Sequence, residues 1–409
     1  MPEAESPRTQ GDKPTIPPDV PLPRPQTQRG AWLYGILAFL ALYLFIVAIK
    51  LMGHGLKTAA TDPATEARIS DMFAFAFNPF VGLCIGVLVT SIVQSSSFTT
   101  SMTVVFVGAG QLELAQAIPI VMGANIGTSV TNLVVSLGHV RRRMEFRRAL
   151  AGACVHDFFN VCSVLLFFPL ELAFGIFSRP IESLAGAMSQ LDFFRFDPTE
   201  HVDVVGTAVW PFLAGADWLI TDLLNLPCTW AGGLMALAAI LLLFVALTQL
   251  VRCLRKLVLN RVSELFRNVL FGRPWTSFAV GATTTTLVQS SSVTTSLAVP
   301  LVGAGVLNIY QIYPYTLGAN IGTTFTSLLA ALANAQSAHG AQGVATGLAH
   351  LAFNLAGVAV FWPLQQIPIS MAQAFARMAC RRRWTMAVFL IGMFFALPIL
   401  VITIAALVT

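Results

Sequence analysis

A polar stretch at Thr90–Ser101 reads T-S-I-V-Q-S-S-S-F-T-T-S, and it returns at Thr285–Ser296 as T-T-L-V-Q-S-S-S-V-T-T-S. At a constant offset of 195 residues, 24 of the 43 positions from Thr90 to Asn132 match their partners in Thr285 to Ser327 without a gap. The matches include Gln94 with Gln289, Gly108-Ala109-Gly110 with Gly303-Ala304-Gly305, Pro119 with Pro314, and Gly123-Ala124-Asn125-Ile126-Gly127-Thr128 with Gly318-Ala319-Asn320-Ile321-Gly322-Thr323. After one residue of slippage, His156-x-x-Phe159-Asn160 pairs with His350-x-x-Phe353-Asn354. One structural unit is therefore built twice, and any fold must house both copies.

The surroundings of the repeat decide the solvent. Of 409 residues 56% are hydrophobic and 11% charged, with mean hydropathy +0.74, which leaves too little polar surface for a water-soluble domain of this size. Long apolar runs without strand alternation point to an all-α integral membrane protein. The net charge of +5 does not indicate nucleic acid, because the basic residues fall in short blocks between apolar runs, the pattern of cytoplasmic loops. Six scattered cysteines have neither zinc spacing nor the look of a disulfide framework.

Charge also orients the chain. Residues 1–30, rich in proline, are expected to be a disordered cytoplasmic tail, followed by a first transmembrane helix at 31–53. A first repeat at 72–171 approaches from an outer segment without positive bias and runs through the block Arg141, Arg142, Arg143, Arg147 and Arg148, expected in the cytoplasm. An acid-rich external loop at 172–228 follows, then a transmembrane helix at 229–252 that ends on the basic cytoplasmic segment 253–273. The second repeat, 274–366, starts from that basic side and leads to a basic cytoplasmic segment at 367–383 and a last helix at 384–409. The two units enter the membrane from opposite faces, which predicts inverted-topology repeats with a site near the midplane.

Gln-Ser-Ser-Ser presented twice gives a dense set of uncharged donors and acceptors. Hydroxyls and helix N-termini suit an oxyanion, and hydroxyl and carbonyl oxygens suit Na⁺. The competing reading is plain helix packing by small residues. Two copies at symmetric positions, each followed by a G-A-N-I-G-T segment expected to be broken, favour a transport site. Gly108, Gly110, Gly123 and Gly127 and their partners are expected at turns and close backbone approaches, and Pro119 and Pro314 at helix breaks. His156-Asp157 is read as a polar pair near the cytoplasmic face, not as part of a hydrolase triad, since vicinal helical residues point about 100° apart. Glu113 is expected in a turn, and Trp210, Trp218, Trp230, Trp362 and Trp384 at membrane interfaces.

Val93-Gln94-Ser95-Ser96-Ser97, Pro119 to Asn132, Phe146-Arg147-Arg148-Ala149, His156-Asp157-x-Phe159-Asn160 and their second-half counterparts resemble the type II sodium/phosphate cotransporter family. The resemblance runs from about Pro79 to the final helix. It implies Na⁺-coupled symport of inorganic phosphate into the cell by alternating access, with each Q-S-S-S at the tip of a re-entrant hairpin. It assigns phosphate to Ser95, Ser96, Asn125, Ser290, Ser291 and Asn320. Na⁺ falls to Gln94, Ser97, Thr128, Thr131, Gln289, Ser292, Thr323 and Thr326. Partners are then phosphate, Na⁺ and membrane lipid, with no nucleic acid, no transition metal and no cofactor beyond the coupling ion. Where electrogenic members carry an aspartate after the first Q-S-S-S, this chain has Gly108-Ala109-Gly110, which implies electroneutral coupling of two Na⁺ per divalent phosphate. The final helix predicts an external C-terminus. The short 171–210 loop and the lack of any N-x-S/T sequon suggest a bacterial inner membrane. The alternatives are transport of another oxyanion, or a non-transporting regulator or pore of the same fold.

Overall fold

Apolar residues with few interruptions carry α1 from Gln28 to Ala59, and the same applies to the Cys228–Leu257 part of α9, which runs from Cys228 to Val269. The two helices lie antiparallel, since Lys256 Nζ donates to Tyr34 Oη at one end (2.8 Å) while Gly55 and Gly232 interlock at the other. A β-carbon on Gly232 would lie 2.2 Å from the backbone nitrogen of Ala59, so small residues here let two helix backbones touch. The computed structural model describes residues 28–65, 77–128, 130–191, 204–269, 273–337 and 339–408. The expected disordered tail lies outside the described residues. The described residues are almost entirely helical, and seven segments among them are long and apolar enough to cross a membrane: Trp32–Ala59, Leu114–His139, Arg143–Phe174, Cys228–Leu257, Ile309–Ala333, Gly340–Phe361 and Trp384–Val408. α9 continues as helix well into the basic segment, and among the described residues the acid-rich segment 172–228 holds α7 (Ser178–Met188), α8 (Val204–Asp217) and a π-helical turn at Trp218–Leu223.

The two repeat units fold alike. In the first, α2 (Pro79–Val93) turns back into α3 (Ser96–Gly108), then come α4 (Leu114–Gly127), α5 (Val130–Ser136) and α6 (Arg143–Phe174). In the second, α10 (Pro274–Val288) turns into α11 (Ser291–Gly303), followed by α12 (Ile309–Ala333) and α13 (Gly340–Phe361). α14 (Gln366–Arg381) is amphipathic and packs on α6, and the terminal rod is α15 (Trp384–Ile391), a π-helical turn at Gly392–Ala396, and α16 (Leu397–Val408). That turn precedes Pro398, whose ring cannot follow a regular helical turn.

Each hairpin is a bridge between the halves. Its first arm packs on its own unit, α2 on α4 and α10 on α12. Glycine permits this contact: a β-carbon on Gly123 would meet Leu83 O at 2.0 Å, and one on Gly318 would meet Phe278 O at 2.0 Å. The second arm crosses over, so α3 packs on α12 and α13 while α11 packs on α5 and α6. Val104 and Val105 of α3 share an apolar cluster with Ala330, Ala331 and Val344 of the second unit. Val302 of α11 sits against Gly152 of α6.

One expectation about helix breaks is overturned, and another holds in the first half only. Pro119 and Pro314 lie inside continuous helices, each in the second turn, where the missing N–H removes a single bond to the carbonyl four residues back. The Gly318–Thr323 segment is unbroken helix within α12, whereas its first-half counterpart ends α4 at Gly127. The glycines of this motif serve close packing, and the turns fall at Gly110 (φ 77°) and Gly305 (φ 76°), both roles expected of this set of glycines.

Candidate functional site

The chain breaks where Gln-Ser-Ser-Ser begins. Gln94 and Gln289 cap α2 and α10 in the left-handed region, at φ 60° and 58°, and each backbone N–H returns to a threonine carbonyl four residues earlier, Thr90 O and Thr285 O, at 2.7 Å. Glycine is the usual residue there, and a side chain at such an angle costs about 1–2 kcal/mol. The glutamine amide offsets part of that cost. Gln94 Nε2 donates to Ser91 O and its Oε1 accepts from Thr131 Oγ1 at 3.1 Å; Gln289 Nε2 donates to Thr286 O and its Oε1 accepts from Thr326 Oγ1 at 2.7 Å. The amide thus ties each tip to a helix of its own half.

The next serine starts the return arm. Ser95 and Ser290 are extended and act as N-caps, their hydroxyls accepting from Phe98 N–H at 3.2 Å and Val293 N–H at 3.4 Å. The remaining first-turn N–H groups of α3 and α11 have no intrahelical acceptor, so each tip carries the positive end of a helix dipole. The arms are pinned at matching points, Thr90 to Thr99 at 2.8 Å and Thr285 to Thr294 at 2.7 Å.

The two tips meet. Ser97 Oγ donates to Gln289 O at 3.5 Å, and a cavity of about 310 Å³ is lined by Gln94, Ser95 and Thr131 from the first half and Gln289, Ser290 and Ser292 from the second. One face of α9 closes it, with Phe244, Leu247, Thr248, Val251, Arg252 and Arg255. Phe98 and Phe244 stack edge to face at 5.9 Å on this wall. Arg252 and Arg255 were legible in the sequence only as topology-setting charge; the fold brings them to the cavity, whose walls therefore hold formal positive charge as well as dipoles.

Several other expected site residues stand behind this surface. Ser96, Ser97, Ser291, Thr128, Thr323 and Thr326 are buried and do not line the cavity. Thr128 and Thr323 hydroxyls donate to carbonyls of their own helices, Ala124 O and Ala319 O. Asn125 and Asn320 belong to a separate buried cluster between the halves. Asn160 Nδ2 donates to Asn125 O at 2.8 Å, Asn320 Nδ2 donates to Asn160 Oδ1 at 2.6 Å, and His156 Nε2 meets Asn320 Oδ1 at 2.6 Å, where it must be the donor. His156 and Asp157 are each 1% exposed, buried in the seam where α6 packs against α12. Asn132 of α5 and Thr295 of α11 add a further cross-half bond at 2.9 Å. Glu113 and Asn308 begin α4 and α12, where Gln116 and Gln311 accept from their backbone N–H groups, which gives the repeated glutamine a capping role.

Comparison with known proteins gives a consistent outcome. The family described as Na+/Pi-cotransporter matches residues 44–179 and 242–401. Sodium-dependent phosphate transport protein 2A of Rattus norvegicus is 33% identical over 425 residues, covering 88% of this chain and 66% of the relative. The 2A protein of Mus musculus is 34% identical over 428 residues, with 90% and 66% covered. Sodium-dependent phosphate transport protein 2B of Homo sapiens is 32% identical over 440 residues, with 88% and 63% covered. The chain thus spans just under two thirds of the length of these relatives. No solved structure matches it.

Proposed function

The chain belongs to the type II Na⁺/Pi-cotransporter family, and from that premise we propose that it is a secondary transporter carrying inorganic phosphate together with Na⁺ into the cell. The observation that carries the proposal is the meeting of two equivalent hairpin tips around one cavity, with Ser97 Oγ 3.5 Å from Gln289 O. Two helix N-termini, cap hydroxyls and two arginines suit a phosphate dianion. The carboxamide oxygens and tip carbonyls suit Na⁺, which prefers hard oxygen donors.

The arms support re-entry. α2 has 15 residues and α11 has 13, about 20 Å of helix at 1.5 Å per residue, against roughly 30 Å of hydrocarbon. Each hairpin would enter and leave on one face, the first from outside and the second from the cytoplasm. The clustering of chain ends agrees: the turn after α3 contacts Asn334, Ser337 and His339, in a stretch free of Lys and Arg, while the turn after α11 contacts His139 and Arg148 in the basic block. On this reading the repeats are inverted, alternating access moves the tips against the α1–α9 pair, and the arginines at the basic end of α9 mark a cavity reached from the cytoplasm. Ser95, Ser290 and the first-turn N–H groups of α3 and α11 would face phosphate, with Gln94, Thr131, Gln289 and Ser292 nearest to Na⁺. The asparagines, the remaining serines and Thr128, Thr323 and Thr326 would shape these contacts from behind.

Coupling would be electroneutral, two Na⁺ per divalent phosphate. Gly110, which carries this inference, sits beside His339 at the end of α3 opposite the tip. Labelled phosphate uptake into liposomes, with and without a Na⁺ gradient, tests the reading. Uptake that follows the gradient without current at clamped voltage is expected; uptake indifferent to Na⁺, or absent, would refute the transport reading, and a phosphate-evoked current would refute electroneutrality alone.

A further inference from the structure

The motif Phe146-Arg147-Arg148-Ala149 has no place at the hairpin tips, yet the fold gives it a definite setting. Arg147, Arg148 and Ala151 form one wall of a second cavity, of about 380 Å³. The turn after α11 and the start of α12 supply Val302, Gly305, Leu307, Asn308 and Ile309, and α14 adds Gln373 and Arg377, one helical turn apart on the same face. Three guanidinium groups from two distant segments therefore converge on one concavity with no carboxylate among the described residues that line it.

Charges that only set topology need lie on the correct side of the membrane and nothing more. These three go further. An acid is close by, but Glu145 is taken by Arg142 at 2.8 Å and by His139 at 3.3 Å, and among the described residues no ion pair reaches Arg147, Arg148 or Arg377. The backbone also yields space: a β-carbon on Gly305 would lie 2.7 Å from Arg148 Nη1. The positive field extends to Cys380, whose thiol is pushed up by burial while Arg143, Arg147 and Arg383 act in the opposite sense.

The other repeat supplies the control. At the equivalent turn, Gly110 (φ 77°) is approached by the His339 ring, the cap is Glu113 where the second half has Asn308, and the positions matching Arg147 and Arg148 are Ala341 and Gln342. A carboxylate at 308 would cancel one of the three charges. The basic end of the molecule has an amide there.

We propose that this cavity binds a phosphate-type dianion, either free phosphate or the phosphomonoester headgroup of a lipid, at a site separate from the hairpin tips. Each guanidinium offers paired N–H donors that match tetrahedral oxyanion geometry, and Asn308 and Gln373 add neutral donors. Because its walls come from α6, the α11–α12 turn and α14, an occupant would hold the second hairpin's return arm against the first half.

The test is the melting temperature of the full chain in phosphatidylcholine nanodiscs, with inorganic phosphate added in one arm and phosphatidic acid included in the bilayer in the other. The wild type, Arg147→Gln/Arg148→Gln/Arg377→Gln, Ser95→Ala/Ser290→Ala and the two sets combined are compared. A rise of several degrees is expected that persists in the serine variant, where the tips no longer contribute, and disappears when the arginine substitutions are added to the serine ones. A rise with phosphate alone assigns the free anion, and a rise only with phosphatidic acid assigns the headgroup. If the triple variant does not fold, the exposed Arg377→Gln alone should diminish the rise and Arg377→Lys restore part of it. No rise for the wild type in either arm, a rise in the serine background that survives loss of the arginines, or a rise lost altogether in the serine variant would overturn the proposal.

Discussion

The hairpin tips of the two halves agree almost bond for bond, while the seam between the halves does not. Gln94 and Gln289 share the same left-handed turn, the same return bond at 2.7 Å and the same acceptance from a threonine 37 residues on. Further along, His156 and Asn160 of the first half reach across to Asn320. Their repeat partners stay at home: His350 Nδ1 bonds Ser327 of its own half, and Asn354 donates to His350 O. His350 Nε2 and Asn354 Oδ1 are buried without a hydrogen-bond partner among the described residues. Duplication has kept the part that faces the cavity, and the part that joins the halves has become one-sided.

The largest expected effect tests the likeness of the packing beneath the tips. Gly123→Ala and Gly318→Ala each push a β-carbon to 2.0 Å from a backbone carbonyl, so each should cost about 3 kcal/mol, the upper range for overpacking. Thermal melts should show similar losses for both. A large loss in one half only would break the equivalence.

The seam should respond unequally. Asn320→Ala leaves both His156 and Asn160 without their side-chain partner and should cost about 2 kcal/mol, whereas Asn125→Ala, whose amide donates to Val121 O in its own helix, should cost about 1 kcal/mol or less. Equal melting shifts for these repeat partners would contradict the one-sided seam. Smallest are Gln94→Gly and Gln289→Gly, where relief of the left-handed angle and loss of the amide bonds nearly cancel, for a net change under about 1 kcal/mol. The corresponding alanine variants should be less stable than the glycine variants by about 1 kcal/mol, readable in the same melts.

Much of this was legible along the chain. The repeat was visible in letters, and the apolar runs located the long helices, because both are local properties. Charge gave α1 and α9 opposite directions, and they are antiparallel. What failed was non-local. Nothing about glutamine announces a left-handed cap, since glycine is the residue that fits there; its amide bonds to Ser91, Thr131, Thr286 and Thr326 are what hold it. Pro119 and Pro314 looked like breaks, yet each lies early enough in a tightly packed helix to forfeit only one bond. Arg252 and Arg255 read as loop charge because a sequence does not say which face of a long helix closes a cavity formed by segments some 160 and 40 residues away. The burial of His156 and Asp157 in the seam comes from the packing of α6 on α12, which no local pattern announces.

The central claim is that two tips make one site. Equilibrium titration of phosphate and of Na⁺ against Ser95→Ala and Ser290→Ala tests it most directly. Removing one charge-assisted hydroxyl contact, about 1.5–3 kcal/mol, should weaken phosphate binding roughly tenfold or more in either variant, with Na⁺ affinity falling alongside. Loss confined to one variant, or to one ligand, would contradict it.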